Sequence, residues 1–355
     1  MKNKIKYEDL EIKPIRKYAV PIVIVSYKGS IASTAVLVQS IIDNSSKDYF
    51  YDIVILHSVI PQEVQKRYES LVLGRENFSL RFFHVLKYAI RYPFFQRMLK
   101  EKSAYVATFY RLLIPELFSK YEKVIYLDGD VVVNVNIALM MEFDVSRIML
   151  GAVRDIAGNR FYYTNNDLKK YRDEVLKLKN PDNYFNAGVL IINPKTFLEE
   201  FTRAEWWALV DSQKWYSLDQ DVLNMVCQER VLLISCTWNY VEMGGVNAKG
   251  HILDEDMDDM LAAAPNPNII HYVGRYKPWN QCTVPYFEQF WKYAVKNSFF
   301  EDNFKMIGKD LAEEGMLEKI LEGRVGLKSI RKIVMTWLAV RIQSCSGVWY
   351  NRTEL

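Results

Sequence analysis

The sequence predicts an α/β protein built on a mostly parallel central sheet with helices on both faces. Short apolar runs alternate with helix-length amphipathic segments through the first third of the chain, a pattern typical of βαβ units. Half of the 355 residues are hydrophobic and 14% are aromatic, so a sizeable core can form. The formal net charge of +3 is too small to indicate a nucleic-acid partner.

The predicted elements follow one another in a simple order. Apolar runs rich in β-branched residues predict strands at residues 19–25, 51–56, 80–85 and 123–127. Apolar residues at helical spacing predict helices at residues 31–42, 61–73 and 103–118. In such a sheet, ligands bind beyond the carboxyl ends of the strands. The residues after the fourth strand are therefore the first candidates for a site.

The cysteines and the apolar runs bear on the cellular compartment. Four cysteines stand far apart, with no C-x-x-C pair: Cys227, Cys236, Cys282 and Cys345. This spacing in a long chain favours a reduced, cytoplasmic protein over a disulfide scaffold. No apolar run reaches 18 residues, so no membrane-spanning helix is expected.

Two carboxylates separated by a glycine follow the fourth predicted strand. Side chains two positions apart on extended backbone point the same way, so Asp128 and Asp130 can bracket one cation. Gly129 lets the backbone turn there without steric cost, and we include it among the candidate cofactor-binding residues. Carboxylates plus a diphosphate are the ligands that Mg²⁺ or Mn²⁺ prefers. A plain turn after a strand explains this short segment equally well.

The same motif has a second chemical interpretation. A hydrophobic strand that ends in D-x-D-x-V resembles phosphatases of the haloacid dehalogenase type, in which the first aspartate is a nucleophile. That family carries the motif near the start of its catalytic domain. Here more than 100 residues precede Asp128, so we rank an aspartyl phosphatase below the other interpretation.

Further motifs follow in the order Y-R-L at 110–112, D-G-D at 128–130, N-A-G at 186–188, L-D-Q-D at 218–221 and H-x-x-G-x-x-K-P-W at 271–279. Together they resemble glycosyltransferase family 8 over residues 18–295. That family includes bacterial lipooligosaccharide and lipopolysaccharide glucosyl- and galactosyltransferases and glycogenin. The resemblance implies a Rossmann-like GT-A fold, a UDP-sugar donor, Mn²⁺ dependence and retention of anomeric configuration.

The resemblance also implies a role for each matching residue around the diphosphate. Asp128 and Asp130 match the D-x-D metal ligands, and His271 matches the histidine that completes the metal site. Gly274 and Lys277 match positions that contact the donor diphosphate. A glycine allows close backbone approach, and a lysine adds a point charge. The metal implied is Mn²⁺ or Mg²⁺.

A second group of matching residues concerns the donor sugar and catalysis. The group comprises Arg111, Asp155, Asn186, Ala187, Asp219 and Gln220. Arg111 can fork two bonds to sugar hydroxyls or to Asp155. Asp219 and Gln220 match the pair beside the anomeric carbon, although Asp219 and Asp221 would also be ordinary at a helix N-terminus. Gln220 is a poor nucleophile, so we favour a front-face displacement over a double displacement through Asp219.

The end of the first strand departs from the family pattern. The family usually has a D-D-N-Y-like stretch there that holds the uridine and the ribose. This chain has Ser26-Tyr27-Lys28-Gly29-Ser30 instead, without the carboxylate. Tyr27 could stack on a base, and Ser26 or Ser30 could bond to it. The departure makes the base an open question and motivates an alternative, a catalytically inactive nucleotide-sugar-binding protein.

We predict three regions along the chain: an N-terminal extension at 1–17, a GT-A catalytic domain at 18–295 and a helical, basic C-terminal region at 296–355. Within the last region, residues 323–352 carry six basic residues and no acid, interleaved with apolar residues. This basic amphipathic pattern predicts peripheral contact with an anionic membrane or a partner subunit. The predicted protein is thus a cytoplasmic retaining hexosyltransferase on the inner face of the cell membrane, acting on a cell-surface glycan or lipid-linked saccharide.

Overall fold

A computed structural model of the chain describes residues 11–243, 251–281 and 284–312. The chain divides into two compact units, Met1–His271 and Tyr272–Leu355. Cys227 and Cys236 are free and buried. Within the described residues, none of the helices combines the length and the apolarity needed to cross a bilayer. The basic C-terminal region beyond residue 312 lies outside the described residues, so its predicted helical structure stays a prediction.

The strands are β1 Ala19–Ser26, β2 Phe50–His57, β3 Phe78–His84, β4 Val124–Leu127, β5 Val131–Val133, β6 Leu150–Arg154, β7 Phe185–Ile192, β8 Val231–Leu233 and β9 Ile269–His271. The α-helices are α1 Ile31–Asp43, α2 Gln62–Val72, α3 Leu86–Ala89, α4 Pro93–Lys100, α5 Ile114–Leu117, α6 Ile156–Asn159, α7 Asn166–Lys170, α8 Pro194–Glu200, α9 Arg203–Val210, α10 Asp219–Cys227, α11 Asp254–Ala263, α12 Phe287–Ala294 and α13 Phe300–Ala312. Short 3-10 helices span Val106–Leu113, Ile137–Glu142, Pro181–Asn183 and Cys236–Asn239, and a π-helical turn spans Tyr171–Val175.

Seven strands form the central sheet in the order β3-β2-β1-β4-β7-β6-β8. β7 runs antiparallel to both of its neighbours, and the remaining neighbours pair in parallel. The sheet is therefore mixed but mostly parallel, which confirms the predicted α/β class. β5 and β9 form a separate antiparallel pair.

All four predicted strands are present with shifted ends, but one predicted helix is wrong in type. The segment predicted as a helix at 103–118 contains a 3-10 helix, Val106–Leu113, followed by the short helix α5. Pro115 explains the change, because it lacks the N–H that would bond to Arg111 and its ring would clash with that carbonyl. Ile114 N instead donates to Arg111 O, three residues back.

Both faces of β1 are buried. Val23 and Val25 belong to the main hydrophobic cluster, which also contains residues of α4, α5 and α9. Ile22 and Ile24 point to the opposite face and are equally inaccessible, and α1 packs against β1 and β5. Such continuous apolar strands are typical of a sheet covered on both sides. The N-terminal extension joins this unit through Ile12, whose N–H donates to Leu117 O at 2.8 Å.

The sheet topology determines where a site can form. β1, β2 and β3 run parallel, and so does β4 beside β1, so that their carboxyl ends share one edge. The register pairs Ile24 with Leu127, so the D-G-D segment leaves the sheet beside the end of β1. Loops that leave this edge are free of ladder hydrogen bonds and can carry binding residues.

The unit Tyr272–Leu355 contains α12 and α13. Its described part is held together by aromatic packing: the ring centroids of Trp279 and Phe290 lie 5.1 Å apart. Trp291 Nε1 donates to Pro278 O at 2.9 Å. The predicted domain boundary at residue 295 stays a prediction.

Candidate active site

The D-G-D segment and His271 converge because two short strands pair. Asp128 follows β4 and Asp130 precedes β5, and the β5–β9 register places Val131 opposite His271. The imidazole Nε2 lies 3.3 Å from Oδ1 of Asp130 and 3.9 Å from Oδ2 of Asp128. One ligand atom from each residue lies within 4.8 Å of the others. Two carboxylate oxygens and one imidazole nitrogen form a suitable ligand set for a divalent cation.

His271 is oriented by a residue that the sequence did not reveal. Asn239, at the end of a 3-10 helix, has its Oδ1 2.8 Å from Nδ1 of His271. Because a carbonyl oxygen only accepts, Nδ1 donates this hydrogen bond, and Nε2 is the ring nitrogen that faces the aspartates. The Nδ2 of Asn239 donates to Oδ1 of Asn186 at 2.8 Å, which fixes the amide. No motif marks Asn239 in the sequence, since its partner is 32 positions away.

Gly188 passes directly beneath the predicted metal ligands. Its carbonyl accepts from Asp128 N at 2.8 Å. A Cβ built on Gly188 would lie 2.2 Å from Cε1 of His271 and 2.9 Å from Oδ2 of Asp128. Only glycine fits this position. From the N-A-G motif, the sequence predicts Asn186 and Ala187 as site residues and does not single out Gly188.

Gly129 is needed for a different reason from the one predicted. Its φ lies outside the left-handed region, so the backbone does not require glycine there. A Cβ would instead lie 2.6 Å from Oγ1 of Thr34 in α1. The residue therefore permits close approach of the D-G-D segment to α1.

Arg111 joins the D-G-D segment to the L-D-Q-D segment. The side chain is 8% exposed. Its Nη2 lies 2.9 Å from Oδ1 of Asp128, and its Nε lies 2.8 Å from Oδ2 of Asp219. The Nη1 donates to Ala187 O at 2.5 Å. The predicted fork from Arg111 to Asp155 is therefore wrong: the guanidinium lies between Asp128 and Asp219 and forms ion pairs with both.

Burial sets the ionisation of this cluster. Asp219 is 2% exposed, and desolvation raises its pKa to about 7 even though Arg111 acts to lower it. The neighbouring charge of Asp128 raises it further. Burial acts to lower the pKa of Arg111, but the carboxylates of Asp128 and Asp219 together outweigh it and raise that pKa, so the guanidinium stays charged. Tyr126 contributes a hydroxyl that donates to Oδ1 of Asp128 at 2.6 Å.

Asp155 meets Gln220 rather than Arg111. The Nε2 of Gln220 donates to Oδ2 of Asp155 at 2.9 Å, and its Oε1 accepts from Ala187 N at 3.0 Å. Asp155 also caps α6 through Gly158 N. The amide of Gln220 is thus held at both ends. Asp219 and Asp221 also occupy the first turn of α10, where carboxylates are favourable.

At the end of β1, Tyr27 is accessible and Ser26 is not. Ser26 is 1% exposed, whereas Tyr27 is 52% exposed. The hydroxyl of Ser30 is occupied by the turn itself, since it accepts from Tyr27 N at 3.0 Å. Asp130 and Asp128 are near enough to help raise the pKa of Tyr27, after desolvation. Of the candidates at this turn, the geometry favours Tyr27 over Ser26 as a ligand contact.

Gly274 and Lys277 belong to the unit that begins at Tyr272. Gly274 has a φ of +87°, which explains why glycine stands there. The Nζ of Lys277 donates to Tyr272 O. Their predicted contacts with a diphosphate stay predictions.

A family model described as glycosyl transferase family 8 matches residues 21–283, which is more than half of the chain. The chain is a member of glycosyl transferase family 8. The predicted family is thus confirmed, and the convergence of the D-x-D aspartates with His271 lies inside the matched region. Membership of family 8 also argues against the phosphatase interpretation of Asp128.

Two curated relatives share about a quarter of their aligned residues with this chain. Glycosyltransferase GlyE of Streptococcus pneumoniae is 26% identical over 214 residues, covering 57% of this chain and 46% of the relative. The lipopolysaccharide 1,2-glucosyltransferase of Escherichia coli is 22% identical over 214 residues, covering 58% of this chain and 59% of the relative. The family 8 chain described here therefore spans about half the length of these curated relatives.

Solved structures share the fold. The bifunctional glycosyltransferase WbbM superposes with a TM-score of 0.75 at 29% identity, covering 83% of this chain and 53% of that chain. The galactosyltransferase LgtC, in complex with donor and acceptor sugar analogues, superposes with a TM-score of 0.60 at 23% identity. The match covers 79% of this chain and 96% of LgtC. This family 8 member therefore has the GT-A fold of LgtC.

Proposed function

We propose that this chain is a retaining hexosyltransferase that moves glucose or galactose from a UDP-sugar to a cell-surface glycan or lipid-linked saccharide. The observation that carries the proposal is the convergence of Asp128, Asp130 and His271 beside the Arg111–Asp219 ion pair. Two relatives support the hexose class, since one is a lipopolysaccharide glucosyltransferase and the other a galactosyltransferase.

The three converging residues would hold the divalent ion, Mn²⁺ or Mg²⁺. The fit rests on the hard oxygen donors of two aspartates and on Nε2 of His271, the ring nitrogen that faces them while Nδ1 contacts Asn239. When bound, such an ion stabilises the negative charge that develops on a leaving diphosphate. Gly274 and Lys277 are proposed as further diphosphate contacts.

The protein's own groups favour a front-face transfer. Asp219 is buried and lies in an ion pair with Arg111, so its carboxylate is already engaged. The amide of Gln220 is bonded at both ends. The acceptor hydroxyl oxygen would bond to the anomeric carbon as the bond to the diphosphate breaks. The hydroxyl proton would pass to the departing phosphate oxygen.

The donor-sugar contacts proposed are Arg111, Asp155, Asn186, Ala187, Asp219 and Gln220. Among them, Ala187 also shapes the site through its backbone: Ala187 N donates to Gln220, and Ala187 O accepts from Arg111. Holding reacting groups in fixed geometry accounts for a large share of catalysis when the leaving group needs no covalent help. These bonds keep the proposed sugar contacts in one arrangement.

One observation favours the alternative of an inactive nucleotide-sugar-binding protein. The turn after β1 offers no carboxylate, and the hydroxyl of Ser30 is used by the turn. Stacking on Tyr27 would then supply the base contact, and aromatic stacking tolerates different bases. Such a protein would still bind the metal and the diphosphate but would not transfer the sugar.

Release of UDP from UDP-glucose and UDP-galactose, with and without Mn²⁺, tests the proposal. Wild-type protein should release UDP only with the metal, and Asp130→Asn should lose that activity. Asp258→Asn, which changes an exposed acid in α11, is the matched control. If Mn²⁺ and UDP raise the melting temperature of the wild type but no sugar nucleotide is turned over, the inactive binder is the better interpretation.

Peripheral membrane contact is proposed from the sequence alone, since the basic segment lies outside the described residues. Six basic residues between 323 and 352, with no acid, would each add roughly 1 kcal/mol of attraction near an anionic surface. Flotation on anionic liposomes should recover the intact chain and not a chain that ends at Glu322. Equal recovery of both would overturn this proposal.

A further inference from the structure

The turn that leads into α10 has an unusual backbone conformation. Leu218 has a φ of 55° and a ψ of −129°. Gln220 N donates to Ser217 O at 3.1 Å, so residues 217–220 form a β-turn with Leu218 at its first central position. These dihedrals are those of a type II′ turn, in which glycine normally occupies that position. A branched side chain there is strained.

The carboxylate of Asp221 keeps the turn in place. It is 1% exposed and accepts hydrogen bonds from Ser217 N at 2.6 Å, Tyr171 Oη at 2.8 Å and Tyr184 Oη at 2.7 Å. The half-buried side chain of Leu218 also packs against the main hydrophobic cluster. Strained backbone persists only where its surroundings over-determine it, and these contacts do so.

A relaxed conformation at Leu218 would change the entry into the helix. If Leu218 were helical, α10 would begin one residue earlier and the chain at Ser217 would leave in another direction. Ser217 N would then lose its bond to Asp221. The left-handed conformation lets α10 begin abruptly at Asp219 while Ser217 folds back onto the same helix.

The two residues after Leu218 depend on this geometry. Asp219 lies 2.8 Å from Nε of Arg111. Gln220 bridges Ala187 N and Asp155 at 3.0 and 2.9 Å. Rotation of the backbone at residue 218 would displace both side chains together, because they are its next neighbours on the helix.

We propose that Leu218 is a positioning residue, whose left-handed backbone sets the directions of Asp219 and Gln220. Its catalytic consequence rests on the proposed transferase function, but its conformational part does not. Leu218 is one of four non-glycine residues with a positive φ among the described residues, and it is the one that directly precedes two proposed sugar contacts. The proposal makes the backbone at 218, not the leucine side chain, the feature required for turnover.

Substitutions that separate backbone from side chain test this. Leu218→Gly and Leu218→Ala both remove the packing, but only glycine adopts the observed dihedrals freely. We expect Leu218→Gly to melt about 2 °C above Leu218→Ala. The same pair at Leu261, an exposed residue within α11, is the control and should show the opposite order.

Turnover supplies the second readout. We expect kcat for UDP-sugar to be about tenfold higher in Leu218→Gly than in Leu218→Val, with KM for the donor nearly unchanged. A melting temperature of Leu218→Ala equal to or above that of Leu218→Gly would overturn the proposal, as would equal kcat in all three variants. If the wild type turns over no sugar nucleotide, the proposed function fails, while the melting order still decides whether residue 218 is strained.

Discussion

The Nε of Arg111 lies 2.8 Å from Oδ2 of Asp219, in the interior of the protein. The same guanidinium reaches Asp128 through Nη2 at 2.9 Å. One buried cation thus joins a proposed metal ligand to a proposed donor-sugar contact. A substitution of either carboxylate should therefore alter the position of Arg111 and, with it, the ion pair with the other carboxylate.

Replacing Arg111 with lysine should lower kcat by about 100-fold. Lysine carries a single point charge and cannot serve Asp128, Asp219 and Ala187 O simultaneously. Steady-state kinetics with UDP-sugar would measure the loss. Arg97→Lys is the control, because Arg97 pairs with Asp211 at the surface. If Arg111→Lys kept the wild-type kcat, the separate contacts of the guanidinium with Asp128 and Asp219 would not be needed for turnover.

Replacing Gly188 with alanine should abolish Mn²⁺ binding while the protein remains folded. The new Cβ would lie 2.2 Å from Cε1 of His271 and force the imidazole away from the aspartates. Isothermal titration calorimetry with Mn²⁺ checks this, and circular dichroism checks the fold. Gly151→Ala, on the neighbouring strand β6, is the comparison, since its Cβ comes no closer than 3.4 Å to Ile191. Undiminished Mn²⁺ affinity in Gly188→Ala would contradict the proposed ligand set.

Asn239→Leu should weaken Mn²⁺ binding by about 10- to 100-fold. Leucine cannot accept the hydrogen bond from Nδ1 of His271, so the ring loses the contact that fixes its orientation and tautomer. Titration with Mn²⁺ measures the effect. Asn165→Leu, at the exposed N-terminus of α7, should leave the affinity unchanged. A similar loss in both variants would point to general destabilisation instead.

The lowered pKa of His57 should make the free energy of unfolding depend on pH. Burial, followed by the neighbouring His84, lowers the pKa of His57 to about 4, below its ordinary value of 6.5. Between these pH values His57 is protonated in the unfolded chain and neutral in the folded chain. The free energy of unfolding therefore falls as pH drops from about 6.5 to 4. The full effect is roughly 3 kcal/mol.

His57→Asn should flatten this part of the stability curve, since asparagine can still accept the hydrogen bond from Ile60 N. Urea unfolding at several pH values between 4 and 7 gives the slopes. His251→Asn, at an exposed histidine, should leave the slope as it is in the wild type. Identical slopes in wild type and His57→Asn would mean that His57 titrates normally.

Much of the candidate site was predictable because its chemistry is local in sequence. Asp128 and Asp130 are marked by the buried strand that precedes them. Gly188 and Asn239 were not predictable in their roles, since each acts through a contact with His271 made by a different part of the chain. The partner of Arg111 was mispredicted for the same reason.

By itself, the sequence determined the α/β class, the strands β1 to β4, the family and the residue types around a divalent ion, because apolar periodicity and short motifs are encoded by neighbouring residues. Only the tertiary structure decided that β7 runs antiparallel, that the β5–β9 pairing brings His271 to Asp130, and that Leu218 is left-handed. These features depend on long-range pairing and packing, which override local preference.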